Sequence, residues 1–205
     1  DDASINVDQW LSESVTHRLA ELENHAFLYG NGDKKPTGIL SYGTEGKSSW
    51  GKFAHITYDD KNLVDNLVDM FAGIKGEYLG EACWLMSRAT LAVVRKVKDQ
   101  DGRHIWQPSL EASQPSTLLG HKVELCDELP ALGGNKGETA IIFGNFTRAY
   151  QVVDRQGATV LRDPYSAKPY VEFYTTKRVG GNVINFESLV MLKNFVQDNA
   201  EKDRK

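Results

Sequence analysis

The chain has 205 residues, with 24 Lys and Arg against 28 Asp and Glu. Its 40% hydrophobic and 25% charged residues lie near the globular average, which excludes collagen, a disulfide miniprotein and a wholly disordered chain. The net charge of −4 argues against a dedicated nucleic-acid binder, which would carry a basic face. The longest apolar runs, such as Ala140-Ile141-Ile142-Phe143, fall far short of the roughly 20 residues a membrane helix needs. No signal peptide opens the chain, so a soluble protein is expected. Cys83 and Cys126 form no CxxC pair and read as buried, reduced thiols rather than a disulfide or a metal site.

In chain order, a helix is predicted first. Val7, Leu11, Val15, Leu19, Leu22 and Ala26 fall at spacings of three and four, one apolar stripe. Asn6 is its expected N-cap, with Gln9 in capping-box position. A stripe with no earlier element to cover it points to a processed or trimmed chain. The Gly-rich stretch 30–38 follows as a dense turn. It is not a phosphate loop, because Gly38 precedes Ile39-Leu40 instead of Lys-Ser/Thr opening a helix.

Residues 41–56, rich in Gly and Ser, are expected as loop. Thr57 and Asp60 should cap a second helix with Leu63, Leu67, Met70, Phe71 and Ile74 on its inner face. Cys83–Met86 reads as a short buried strand, and Ser87 as the cap of a third helix with Leu91, Val94 and Val97 inward. Asp99-Gln100-Asp101-Gly102 is a turn that resembles part of a calcium loop but lacks its first and twelfth ligands. From Leu118 onward the pattern turns to strands. Val123 and Leu125 alternate with Glu124, and Ala140–Phe146 is a buried strand. Arg155-Gln156-Gly157 reads as a hairpin turn between Tyr150–Asp154 and Thr159–Arg162. Tyr170–Val179 alternates until Gly180-Gly181 breaks it, then Val183–Phe186 and Leu189–Leu192 follow, ahead of a frayed polar tail. Helices first and antiparallel-looking strands later indicate an α+β protein.

No catalytic constellation emerges. His17, His25, His55, His104 and His121 form no HExxH motif or i, i+4 pair, and each fits a surface or capping role. Gly46-Lys47-Ser48-Ser49-Trp50 lacks the second Gly of a nucleophile elbow. Glu77 and Glu81 share a helical face only if Gly76 and Gly80 allow that helix. Trp10, Trp50, Trp84 and Trp106 read as core or interface anchors. A hydrolase with scattered carboxylates has no motif to support it.

The residues do carry a family resemblance. The helix ending in Glu23-Asn24-His25-Ala26-Phe27-Leu28-Tyr29-Gly30, followed by Lys35-Pro36-Thr37-Gly38-Ile39-Leu40, resembles the spine helix and turn of tailed-phage major capsid proteins. Trp84-Leu85-Met86-Ser87 resembles that family's strand-to-helix segment. Lys98–Arg103 with Trp106-Gln107-Pro108, Thr117–Val123 with Leu129-Pro130, Gly144-Asn145-Phe146 with Tyr150, and Arg178-Val179-Gly180-Gly181 resemble further segments. The pieces keep the family's order over residues 5–195.

The resemblance implies the phage major capsid (Hong Kong 97-type) fold, α+β with a long spine helix and mixed or antiparallel sheets. A peripheral domain would comprise 1–40 and 150–195, an axial domain 41–149, and a frayed tail 196–205. The function implied is a structural subunit, not an enzyme, of an icosahedral phage or prophage shell enclosing double-stranded DNA. An encapsulin-like nanocompartment shell is the alternative. No cofactor or metal is implied. The implied partners are copies of itself in pentamers and hexamers, with scaffold and portal proteins and loosely held DNA, and no membrane. The expected place is the virion, after assembly in the host cytoplasm. Trp10, Gly133, Asn135, Lys136, Tyr165, Lys168 and Arg178 are the expected subunit contacts. The family's N-terminal arm and extended loop are absent ahead of the helix, which bears on assembly. Tyr170–Arg178 contains no Asn, so the Lys–Asn crosslink of some members is not expected.

Overall fold

The computed structural model describes residues 7–58, 62–97, 117–163 and 165–194. The Asn6 cap, Asp60, the turn at 99–102, His104, Trp106 and the tail lie outside the described residues, as do the side chains of Val7 and Leu11. Two compact units share the chain. One combines the segment ending at Ser41 with Gln151–Val183, and the other combines Tyr42–Tyr150 with the segment from Ile184 onward.

The first unit is built on α1, Val7–Tyr29. Its stripe is only partly covered: Val15, Leu19 and Ala26 are half-buried, and Leu22 is 51% exposed. The chain leaves α1 through a turn that excludes side chains at two glycines. A Cβ at Gly30 would lie 2.0 Å from the Pro36 carbonyl oxygen, and one at Gly38 2.4 Å from that of Leu28. This close approach lets the Gly38 N–H donate to Gly30 O at 2.8 Å and the Thr37 N–H to Gly181 O at 2.9 Å. The glycines of 30–38 therefore serve backbone packing.

Two long strands complete this unit, β7 (Tyr150–Asp163) and β8 (Glu172–Val183). Their short connection is compatible with antiparallel pairing and not with a parallel crossover. This corrects two expectations. Arg155-Gln156-Gly157 is not a turn but the middle of one continuous strand, because the true reversal lies between Asp163 and Glu172. Gly180-Gly181 does not end β8, since an extended backbone tolerates glycine where another chain packs closely.

The second unit is a mixed seven-stranded sheet. Its strands are β1 (Gly43–Glu45), β2 (Lys52–Thr57), β3 (Cys83–Met86), β4 (Thr117–Leu118), β5 (His121–Leu125), β6 (Thr139–Gly144) and β9 (Leu189–Lys193). Their spatial order is β1-β2-β9-β6-β3-β5-β4. β6 runs antiparallel to both of its neighbours, β3 and β9, and every one of its residues is buried. Leu189–Lys193 was expected beside the late strands of the other unit. It lies here instead, because Leu189–Leu192 are all buried and suit a central strand.

Residues 41–56, expected as loop, contain β1 and β2. Their Gly and Ser content hid a short edge and its partner. Leu125 is half exposed despite the alternation, because β5 has only the two-residue β4 on its outer side.

Helices cover this sheet. α2 (Leu63–Ala72) buries Leu63, Leu67 and Met70, but its N-cap is Asn62 without a side-chain bond, and Thr57 ends β2 instead of capping. α3 (Gly76–Leu79) is a single turn. α4 (Arg88–Lys96) is capped as expected by Ser87, whose Oγ accepts from the Thr90 N–H at 3.3 Å. Leu91 and Val94 point inward. In the core, the rings of Trp84 and Phe143 stack with centroids 4.0 Å apart, and Trp84 Nε1 donates to Leu118 O at 2.9 Å. The last helix, α5 (Phe146–Ala149), takes its cap from Asn145.

Tyr42, Phe53 and Phe186 form a second aromatic group, with Phe53 and Phe186 centroids 5.0 Å apart. Burial, with Tyr42 nearby, pushes the Tyr150 hydroxyl up to about 12. Below pH 10 both folded and unfolded chains keep this proton; between about 10 and 12 only the folded chain does. Stability should therefore fall as pH rises through that window, and Tyr150→Phe should flatten this part of the curve in urea unfolding followed against pH. Gly30→Ala should cost about 3 kcal/mol or more, because backbone and not a flexible side chain must yield. Its urea midpoint, compared with that of the exposed-site control Gly46→Ala, checks this.

Candidate subunit-contact surfaces

Chemistry is sparse among the described residues. No group of three His, Cys, Asp or Glu side chains could hold a metal. Cys83 and Cys126 are free and half-buried, and burial pushes the Cys83 thiol above its usual range. Glu77 and Glu81 share no helix, since α3 ends at Leu79. No described helix is long and apolar enough to cross a membrane. His17 pairs with Glu21 on the surface of α1. His121 departs from a surface role, as its ring packs 5.4 Å from that of Phe143 and 5.6 Å from that of Phe71. The exposed features are loops and strand faces.

In the second unit the outstanding loop is 131–138, which carries Gly133, Asn135 and Lys136. Two buried polar side chains hold its base. Asn194, at the end of β9, accepts from the Gly133 N–H at 3.0 Å and donates to Ala131 O at 3.1 Å. Its backbone also accepts from Gly137 N–H and donates to Glu138 O. On the other side Thr90 Oγ1 accepts from the Leu132 N–H at 3.0 Å. Gly133 and Gly137 both take a positive φ of 78°, which leaves the tip free to reverse. Asn135 and Lys136 are thereby presented outward on a rigid stem.

The other four expected contacts lie in the first unit. Trp10 is exposed on α1, and Arg178 is exposed on β8. Tyr165 and Lys168 sit in the connection between the two long strands. There the Asp163 carboxylate accepts from the N–H groups of Tyr165 and Ser166, at 2.8 and 3.2 Å, and from the Ser166 hydroxyl. These donors hold the Asp163 carboxyl below the usual carboxylate range. The structure thus gathers Trp10, Tyr165, Lys168 and Arg178 in one unit, and Gly133, Asn135 and Lys136 in the other.

The hairpin also exposes residues that sequence reasoning missed. Along β8, Tyr174, Thr176 and Arg178 are exposed while Thr175, Lys177 and Val179 are half-buried. The half-buried side meets α1: Lys177 Nζ lies 2.6 Å from Glu23 Oε1 and 3.9 Å from Asp154 Oδ2, which raises the lysine's pKa. The opposite side is bare, with Tyr174 67%, Leu161 61% and Val153 57% exposed. Trp50 is 94% exposed on a turn braced by the Lys52–Glu45 ion pair. For the hairpin residues the signal was a strand pattern with apolar residues on both faces, which no core can absorb.

Comparison with known proteins gives one family and one fold. The model of the phage capsid family matches residues 1–194. A chain from the capsid of an empty GTA particle is 35% identical, with a TM-score of 0.86 over 96% of this chain and 69% of that one. The capsid of a native GTA particle is equally similar, at 35% identity and TM-score 0.86 over 96% and 68%. The holo-SrpI encapsulin of Synechococcus elongatus shares the fold at 14% identity and TM-score 0.61, over 94% and 67%. Curated proteins yield no match.

Asn194→Ala would remove both side-chain bonds that fix the 131–138 loop. The expected result is a loss of about 2 kcal/mol in urea unfolding, with faster amide exchange at Gly133 than at β6. Unchanged protection at Gly133 would show that the stem does not depend on this residue.

Proposed function

The chain belongs to the phage capsid family, and from that premise we propose that it builds a closed icosahedral shell around double-stranded DNA. It is a capsid shell subunit, a structural protein, and the observation that carries this is the 35% identity to a capsid chain over 96% of its length. The geometry is consistent with that role. Two compact units present exposed loops and apolar strand faces.

In this reading α1 and the β7–β8 hairpin form the peripheral domain, and the seven-stranded sheet forms the axial domain around symmetry axes. Trp10, Tyr165, Lys168 and Arg178 then meet neighbours at the periphery, and Gly133, Asn135 and Lys136 meet them near the axes. Each contact is modest, and closed symmetry repeats it over many copies. The net charge of −4 suits a wall that encloses DNA without gripping it, since phosphate contacts demand a basic surface. Scaffold and portal proteins would join the copies of this chain during assembly in the host cytoplasm, and the virion is the destination.

The shared fold of the encapsulin supports a second reading, a nanocompartment around protein cargo. The difference in identity, 35% against 14%, favours the phage-type shell. Expression together with the neighbouring genes, followed by negative-stain electron microscopy and nuclease treatment, separates the two. Closed particles holding nuclease-resistant double-stranded DNA are expected. Particles filled with a protein instead would establish the compartment reading, and the absence of any particle would count against both.

A further inference from the structure

β7 is open on both faces and along one edge. Every residue from Gln151 to Arg162 is exposed. Its one strand partner among the described residues is β8, so its second edge carries no strand. Such an edge offers a row of unpaired N–H and C=O groups to another chain. Proline, which proteins place on edges to block that pairing, is absent from Tyr150–Asp163.

The order of residues in β7 lets it pair with itself. Its charges are Asp154, Arg155, Arg162 and Asp163, a sequence of signs that reads the same from either end. Two copies of the strand set antiparallel about a two-fold axis oppose residues that share a face, and such residues differ by an even number. That rule closes the register in which Arg155 would face Arg162. With the axis through Ala158, Asp154 of each copy stands opposite Arg162 of the other, and Arg155 stands diagonal to Asp163. An axis through Gly157 would leave Asp154 opposite Val160, and one through Thr159 would leave it opposite Pro164, beyond the strand. Around Ala158 the opposed residues are small, Ala158 against Ala158 and Gly157 against Thr159.

The groups that would meet are available. Arg162 makes no ion pair among the described residues. The Asp154 side chain is 49% exposed, and only its Oδ2 approaches Lys177, at 3.9 Å. Asp163 already accepts from Tyr165 and Ser166, so its diagonal contact with Arg155 is the lesser of the two.

We propose that the free edge of β7 pairs antiparallel with β7 of a second copy of this chain, with Ala158 on the two-fold axis, joining two hairpins into one four-stranded sheet. The inference rests on the shell reading, which makes copies of this chain the partners at hand, and it names a contact that reading leaves open. A two-stranded ribbon gains the strands it lacks. The contact is isologous and closes on itself, so it links copies in pairs. Backbone bonds supply hold, and the Asp154–Arg162 pairs supply register.

Disulfide trapping on the full chain tests the pairing and its register. Under mild oxidation Ala158→Cys should form a linked dimer about tenfold or more faster than Val152→Cys. Opposed Cα atoms in such a pair lie about 4.5–5.5 Å apart, within reach of a disulfide, whereas the two copies of residue 152 would lie about 40 Å apart. Gln156→Cys and Val160→Cys should each crosslink slowly alone and fast when mixed, since each opposes the other across the axis. The unaltered chain, with its free Cys83 and Cys126, sets the background. In sedimentation velocity Arg162→Asp should weaken dimerisation about tenfold by facing Asp154 with an acid, and adding Asp154→Arg should restore it. All these positions are exposed, and circular dichroism melts confirm that the variants fold. Equal crosslinking at 158 and 152, no gain on mixing, or an unaltered chain that stays monomeric would each overturn the proposal. The shell reading fails differently, by the absence of closed particles in microscopy, because pairing through this edge needs no closure.

Discussion

The pairing of β6 with both β3 and β9 is the constraint on which the rest of the molecule depends. A strand buried on both faces and hydrogen-bonded on both edges has no freedom to slip, because one residue of shift would exchange its neighbours throughout the core. Phe143 stacks on Trp84 across this ladder, with Phe143 opposite Trp84 on one side and Val190 on the other. The strand ends where no side chain fits. Gly144 takes a φ of 145°, and a Cβ there would lie 2.0 Å from the Ser188 carbonyl oxygen. The Asn145 N–H donates to that same oxygen at 3.0 Å, and the Ala149 carbonyl accepts from Ile184 at 2.8 Å. The chain leading into β7 and the chain returning from β8 are therefore pinned beside one another at the end of β6.

What lies beyond that point is held by much less. A two-stranded ribbon is marginal in water without a face to pack on, and β7 is exposed along almost all of its length. Lys177 with Glu23 and Asp154, together with the Thr37–Gly181 bond, ties β8 to α1 and its turn. These are polar contacts at one side only. The second unit meets its stability requirement with a core, whereas the first leaves apolar area to be covered from outside. In a protein of the phage capsid family this asymmetry has a simple physical purpose: surface that a monomer cannot satisfy is surface that drives association.

The same asymmetry explains what could be read in the sequence. Segments that serve the core announced themselves. Ala140–Phe143 is apolar without interruption, Ser87 stands one residue before a helix with a buried face, and Leu63, Leu67 and Met70 keep helical spacing. The failures lie where no core selects the pattern. Arg155-Gln156-Gly157 has the chemistry of a turn, yet a strand without a buried face is free to carry it. Gly180-Gly181 resembles a break, yet it runs extended beside the Val153 carbonyl. β1 is a three-residue edge strand, and β2, although it buries Phe53, was hidden by the Gly and Ser that flank it. Candidate contact residues were the least legible. Trp10 and Arg178 stood out by type alone, while Val153, Leu161 and Tyr174 became visible only when both strands proved to be bare on one side. A sequence records what a residue packs against in its own chain far better than what it meets in another.

The two kinds of surface also suit different demands of assembly. A loop such as 131–138, clamped at its base by Asn194 and Thr90, presents Asn135 and Lys136 with little conformational entropy left to lose. A surface of this kind rewards correct geometry and little else. The hairpin, whose arginines make no ion pair among the described residues, exposes charge that salt screens beside apolar side chains. A shell whose every contact was rigid would trap its first mistakes, and one whose every contact was soft would not fix its curvature. The core-backed unit and the sparsely covered one thus expose two physically different kinds of surface, one fixed in geometry and the other charged, apolar and compliant.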